Sequence, residues 1–147
     1  MPLSWTEIKS NAIAFSKDWE KVERENAEAK PFWEAFFGVF GLKRRLFATF
    51  EEPVKKQTGS SGFIDLLWKG MLMVEHKSKG ESLDKAKSQA FDYIQNLAAE
   101  GRREELPRFV ILSDFENFRL FDLERDRFDE FKLKELHKKV HLFAFIA

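Results

Sequence analysis

The chain has 147 residues, and its 25 basic side chains balance 25 acidic ones, so it is the size of one domain with no net charge at pH 7. A neutral chain has no overall attraction to nucleic acid or anionic lipid, so either partner would need a local patch or another chain. It has no cysteine, no secretion signal and no long apolar window, which excludes disulfides, thiolate zinc sites and a membrane span. We therefore expect a cytoplasmic protein without membrane contact.

The N-terminal part of the chain has a helical pattern. Between residues 4 and 38, apolar side chains recur at three- and four-residue steps, which predicts helix. Pro31 is expected to mark a break or a new helical start, because proline lacks the amide donor of a helix interior. Gly38 or Gly41 is expected to end the helix.

From about Arg45 the pattern changes from helix to strand. The segments RLFATFEEPV, GFIDLLW and MLMVEHK predict three strands in an antiparallel meander, with Lys69 and Gly70 in the turn between the last two. The next segment, SLDKAKSQAFDYIQNLAAEG, predicts a helix with Ser82 as its N-cap and Gly101 just past its end.

The C-terminal third contains further apolar runs. RFVILSD is typical of a strand buried on both faces, and FRLFDL predicts the next strand. VHLFAFI is either a last strand or the start of an element that continues beyond the chain, and its apolar character favours a domain excised from a longer protein. The element order predicts an α/β fold, with a central mixed β-sheet flanked by α-helices.

Charged residues interrupt the apolar runs of the second and third predicted strands. Side chains alternate across a strand, so Glu75 and Lys77 share one face while Val74 and His76 share the other. A carboxylate and an ammonium group are therefore expected side by side. His76 faces away from them, so we do not expect its imidazole to act as a general base.

The second strand supplies another carboxylate. Asp65 can approach Glu75 across the turn if its strand is bent or bulged near Ile64 and Leu66. Two neighbouring carboxylates repel each other unless a cation lies between them, and Mg²⁺ prefers such oxygen ligands together with water and a substrate phosphate. With Lys77 beside them, these groups suit metal-assisted phosphodiester hydrolysis. The alternative is an ordinary solvated sheet face with cross-strand ion pairs.

Asp65, nine intervening residues and then Glu75-x-Lys77 match the PD-(D/E)xK nuclease signature, with Ile64 in place of the usual proline. The longer stretch from residue 62 to 94 resembles the N-terminal endonuclease domain of MmeI-type (type IIG/IIL) restriction-modification enzymes. The residues that carry the resemblance are Gly62, Asp65, Leu66, Glu75, Lys77, Ser78, Gly80, Leu83, Ala86, Gln89, Ala90 and Tyr93.

The resemblance implies a restriction-endonuclease-like core that cleaves double-stranded DNA with Mg²⁺, for which Mn²⁺ can substitute. It implies that Asp65, Glu75 and the backbone carbonyl of His76 bind the metal, while Lys77 positions or activates the attacking water. Further expected site residues are Glu28 as an upstream catalytic acid with Glu25 as second choice, Gln89 in support, and Lys79 and Lys85 as weak phosphate contacts.

The resemblance also implies a context. The 147 residues are expected to form a single nuclease domain of a longer bacterial or archaeal protein, whose methyltransferase domain uses S-adenosylmethionine and whose target-recognition domain selects the DNA site. One alternative is a catalytically inactive nuclease fold that serves DNA binding or assembly in a defence system. Another is a domain that binds a protein partner through exposed phenylalanines.

Overall fold

The computed structural model describes residues 2–22 and 25–147, apart from the side chains of residues 25 and 26. Within this part of the chain no helix is both long and apolar enough to cross a membrane. The helices and strands are α1 (Trp5–Trp19), α2 (Glu25–Val39), β1 (Thr49–Lys55), β2 (Ser61–Trp68), β3 (Leu72–His76), α3 (Leu83–Ala99), β4 (Phe109–Ser113), β5 (Asn117–Asp122), β6 (Arg127–Lys132) and α4 (Leu136–Lys139).

The strands form a six-stranded mixed sheet in the order β1-β2-β3-β4-β5-β6. Neighbouring strands are antiparallel except β3 and β4, which run parallel because α3 connects them. The predicted α/β class, the meander of β1 to β3 and the fully buried β4 are confirmed. Ser82 caps α3 as predicted, since its hydroxyl accepts a hydrogen bond from the amide of Lys85.

Apolar side chains cover both faces of the sheet. The cluster on one face joins the sheet to α1, α2 and the C-terminal turns, and phenylalanines form much of it, including Phe32, Phe36, Phe118 and Phe143. The cluster on the other face joins the sheet to α3. Burying one such side chain contributes roughly 1.5–3 kcal/mol, so both faces hold the central strands firmly in place.

The predicted helical break at Pro31 is wrong. The first helix ends at Trp19 and the second runs from Glu25 through Pro31 to Val39. Proline removes the bond to the carbonyl four residues earlier and its ring crowds that carbonyl, and here the residue concerned, Ala27, lies in the first turn of α2. Packing of Phe32 and Trp33, which are buried directly after the proline, outweighs this loss.

The end of the chain also differs from the prediction. β6 was not predicted, because its mostly charged sequence places only Phe131 in the core. Residues 140–146, for which a last strand was one expectation, instead form short helical turns. Val140, Phe143 and Ile146 recur at three-residue steps and are buried, which is a helical spacing and not the alternation of a strand.

Candidate active site

A local change of facing occurs in β2 at Asp65, which is half-buried. Ile64 packs in the α3 cluster, whereas Leu66, two residues later, packs in the opposite cluster. Regular alternation would place both on one face, so the strand is distorted at Asp65, as predicted from the sequence. The neighbouring strand is distorted at the same level, because Glu51 of β1 has a left-handed φ of 52°.

Asp65 is joined to Glu75 and His76 by hydrogen bonds across the gap between β2 and β3. The backbone pairing of these strands ends at Leu66 and Val74. At the next position, the amide of Asp65 donates to Oε2 of Glu75 at 2.8 Å, and the amide of His76 donates to Oδ2 of Asp65, also at 2.8 Å. Two carboxylates thus replace backbone acceptors and are held in fixed positions where the strands separate.

Lys77 is held by contacts with β4 and α3. Its backbone amide bonds to the carbonyl of Ser113 at 2.8 Å, which ties it to β4. Its ammonium group donates to Oε1 of Gln89 at 3.0 Å, and Nε2 of Gln89 donates to the hydroxyl of Tyr93 at 3.1 Å. Because the tyrosine hydroxyl accepts from the amide nitrogen, it orients the amide oxygen of Gln89 toward the lysine.

Gly62 allows Tyr93 to take this position. A Cβ atom at Gly62 would lie 2.7 Å from Cε1 of Tyr93, which is shorter than real side-chain contacts allow. Burial raises the pKa of Tyr93 above its usual value, so the hydroxyl remains neutral at physiological pH and keeps its proton. The glycine therefore supports the chain of contacts from Tyr93 through Gln89 to Lys77.

His76 lies on the other face of β3 and joins it to α2. The indole Nε1 of Trp33 donates to Nδ1 of His76 at 2.9 Å, so the imidazole proton is on Nε2. The ring is 1% exposed and its centroid lies 4.3 Å from that of Phe115. Burial lowers the pKa of His76 to about 3, so this side chain is neutral and fixes the backbone beside Asp65.

Asp65 borders an open cleft between the sheet and α2. The cleft has a volume of about 270 Å³, and its lining includes Lys30, Trp33, Glu51, Asp65 and His76. Burial raises the pKa of Asp65; the amide of His76 and the charge of Lys77 oppose this, and the charge of Glu51 adds to it. The ionised form of Asp65 is therefore incompletely stabilised by the protein itself.

These groups fit a hard divalent cation. Asp65 and Glu75 present carboxylate oxygens at one point of the fold, and a cation would offset the unfavourable charge of the partly buried aspartate. In the described part of the chain, no group of three or more acidic or histidine side chains gathers around one point.

The other predicted site residues have different surroundings. Glu28 is on α2 between two alanines that line the cleft, but the lining of the cleft does not include its own side chain. The side chain of Glu25 lies outside the described residues. Lys79 is paired with Glu116 at 3.5 Å, and Lys85 borders a separate groove that also contacts Gln89.

Sequence reasoning did not identify Trp33, and it named Gly62 and Tyr93 only as residues that carry the family resemblance, without a structural role. Gln89 and Tyr93 are four residues apart, a spacing that places side chains together on a helix, so their contact could have been foreseen. Trp33 carried no such signal, because its partner His76 lies on β3, 43 positions away in the chain, and such a contact cannot be read from local spacing.

The fold and these strands define an α/β domain of the kind found in restriction enzymes. The chain is similar to DrdV in the cryo-EM structure of a DrdV–DNA complex, with a TM-score of 0.60 and 15% identity over 94% of this chain and 14% of that one. It belongs to the family of MmeI N-terminal domains, whose model matches residues 10–147.

A second solved structure is a fragment described as an HsdR subunit of a type I restriction enzyme from Vibrio vulnificus. It matches with a TM-score of 0.45 and 15% identity over 95% of this chain and 26% of that one. Among curated proteins no match is found. The chain thus spans only 14% and 26% of the lengths of the two solved chains.

Proposed function

We propose that this chain is a Mg²⁺-dependent DNA endonuclease domain of a bifunctional restriction-modification enzyme. The observation that carries the proposal is the pair of exchanged hydrogen bonds between Asp65 and the strand of Glu75, with Lys77 two residues further on the same face. Membership of the MmeI N-terminal domain family and the presence of DNA in the DrdV complex support it.

Asp65, Glu75 and the backbone carbonyl of His76 would hold the cation. When bound, Mg²⁺ supplies charge neutralisation at a scissile phosphate and lowers the pKa of bound water; Mn²⁺ is expected to substitute. The two amide donors keep the carboxylates from rotating away, because each is engaged by the opposite strand. Trp33 and His76 hold the backbone of this segment from the α2 side.

Lys77 acts on the attacking water from the α3 side. Its ammonium group can donate hydrogen bonds both to that water and to a phosphate oxygen, which places the nucleophile and stabilises negative charge in the transition state. Oε1 of Gln89 accepts a hydrogen bond from this ammonium group and so limits the directions in which it can point. Glu28 and Glu25 remain predicted upstream acids, and Lys79 and Lys85 predicted phosphate contacts.

The remaining parts of the proposed enzyme would come from outside these 147 residues. We propose that a methyltransferase domain using S-adenosylmethionine and a target-recognition domain complete it. Sequence selection would then belong to those parts, since contacts from this domain to phosphates carry no direct sequence information.

Nicking of supercoiled plasmid tests the proposal. The native chain is incubated with Mg²⁺ or Mn²⁺, beside Lys77→Met and a matched control, Lys9→Met, which alters an exposed lysine of α1. We expect metal-dependent nicking by the native chain and the control but not by Lys77→Met. Equal nicking by Lys77→Met would refute the assignment, and nicking by none of the three would favour a catalytically inactive nuclease fold.

A further inference from the structure

The cleft beside Asp65 contains a lysine that the proposed mechanism does not use. Lys30 of α2 lines this cleft together with Asp65 and His76, and it is the basic side chain among its described lining residues. Lys77 approaches the same strands from the α3 side, where it contacts Gln89. Lys30 and Lys77 therefore approach the region of Asp65 from opposite faces of the sheet, and Lys30 is the one that lines the cleft.

The ammonium group of Lys30 is paired with Glu51. The distance between Nζ and Oε2 is 3.3 Å, and the two side chains are 53% and 65% exposed. Exposed ion pairs of this kind contribute between zero and about 1 kcal/mol and are screened by salt. Lys30 can therefore leave Glu51 at little cost when a stronger anion enters the cleft.

Glu51 occupies a position that explains this pairing. The register of β1 and β2 pairs Phe50 with Leu66 and Glu52 with Ile64, so Glu51 is level with Asp65 on the neighbouring strand. Its carboxylate lines the same cleft and adds negative charge to it. While Lys30 is paired with Glu51, it compensates this negative charge. When Lys30 leaves Glu51, its ammonium group is available to a phosphate.

We infer that Lys30 binds a DNA phosphate at the proposed nuclease site and that Glu51 holds its ammonium group while DNA is absent. The inference rests on the proposed function, because only a phosphodiester next to Asp65 would bring a phosphate into this cleft. A compact ammonium with three donors suits a phosphate oxygen as a point charge. Glu51 therefore competes with DNA for Lys30.

Binding of a short fluorescent DNA duplex tests this inference without cleavage. Anisotropy is measured with Ca²⁺ in place of Mg²⁺ over a series of salt concentrations, for the native chain, Lys30→Met, Glu51→Gln and the double variant. Lys9→Met on α1 is the matched control. All substituted side chains are exposed, and circular dichroism verifies that each variant folds.

Lys30→Met is expected to bind more weakly and to reduce the slope of log K against log salt by about 0.9, the value for one phosphate contact. Glu51→Gln is expected to bind DNA more tightly, because Lys30 no longer has to leave an ion pair. The gain is expected to be only roughly two- to fivefold, since an exposed ion pair contributes little. The double variant is expected to bind like Lys30→Met, since Glu51 acts through the lysine. Lys9→Met is expected to keep the native slope.

Two results would overturn the inference while leaving the proposed function intact. One is a native salt slope for Lys30→Met in a chain that nicks plasmid. The other is an equal gain from Glu51→Gln with and without Lys30, which would show that the glutamate only repels DNA. Absence of both DNA binding and nicking by the native chain would overturn the proposed function together with the inference.

Discussion

The buried imidazole of His76 makes the stability of the domain dependent on acid. Its Nδ1 accepts a hydrogen bond from the indole Nε1 of Trp33, 2.9 Å away, so protonation at Nδ1 would place two donors against each other. The added charge would also lie among phenylalanine rings, with that of Phe115 4.3 Å away between centroids. For these reasons the folded protein resists protonation of His76, whereas the unfolded chain does not.

The size and sign of the effect follow from the two pKa values. The pKa of His76 is about 3 in the folded protein, compared with an ordinary value of 6.5. The neutral imidazole contributes fully to stability when the pH is above the ordinary pKa of 6.5. This contribution is lost as the pH falls toward the pKa of about 3 that His76 has in the folded protein. Within that window the free energy of unfolding is expected to decrease by about 1.4 kcal/mol per pH unit through this residue.

Urea denaturation of the native chain and His76→Gln, measured in EDTA between pH 7 and about 4, isolates the contribution. Glutamine retains an acceptor for Trp33 but does not titrate, so the native profile is expected to fall more steeply. In parallel, nitrogen NMR is expected to show a neutral imidazole with its proton on Nε2 at pH 5. Parallel stability profiles, or an imidazolium signal in the folded protein at that pH, would refute the reasoning.

Other substitutions probe the packing and electrostatics around the site. Gly62→Ala is expected to lose about 1–3 kcal/mol of stability and most nicking activity, because the new methyl group displaces Tyr93. Gly38→Ala is the control: its new methyl group would meet no atom within 4 Å, so it is expected to gain about 0.5–1 kcal/mol of stability in its helix. Urea denaturation and plasmid nicking measure both variants. Tyr93→Phe is expected to slow nicking by up to about tenfold, because Gln89 loses the hydrogen bond that orients its amide group. DNA binding in Ca²⁺ is expected to stay the same. An unchanged nicking rate would contradict the role of Tyr93. At pH 7 in EDTA, Asp65→Asn is expected to unfold at a higher urea concentration than the native chain, because burial raises the pKa of Asp65 and its ionisation therefore costs stability. The difference in stability should vanish when the pH falls below the ordinary pKa of 3.8. A variant less stable than the native chain at pH 7 would contradict the argument.

Parts of the site were readable from local patterns. Strand alternation placed Glu75 and Lys77 together and His76 opposite, and the structure shows Lys77 bonded to α3 and His76 bonded to α2. The distortion at Asp65 was anticipated because two charged residues on adjacent strands could meet only if one strand bent. These inferences succeed since side-chain direction in a strand depends only on the neighbouring residues.

The long-range contacts could not be read in this way. Trp33 and His76 are 43 positions apart, and Lys77 and Gln89 meet only because α3 crosses back over the sheet. The helical form of residues 140–146 had a local signal in the spacing of Val140 and Phe143, but an apolar run of that length also fits a strand. Pro31 misled the prediction because aromatic packing next to it outweighed its local preference.

The amino-acid order thus specifies the α/β class, the strand meander and the facing of Glu75, His76 and Lys77, because these depend on periodicities of two or about 3.6 residues. Packing of the helices against the sheet specifies the rest: the cleft beside Asp65, the donor on Trp33 and the pairing of Lys30 with Glu51. Such contacts join residues distant in the chain, and they exist only once both faces of the sheet are covered.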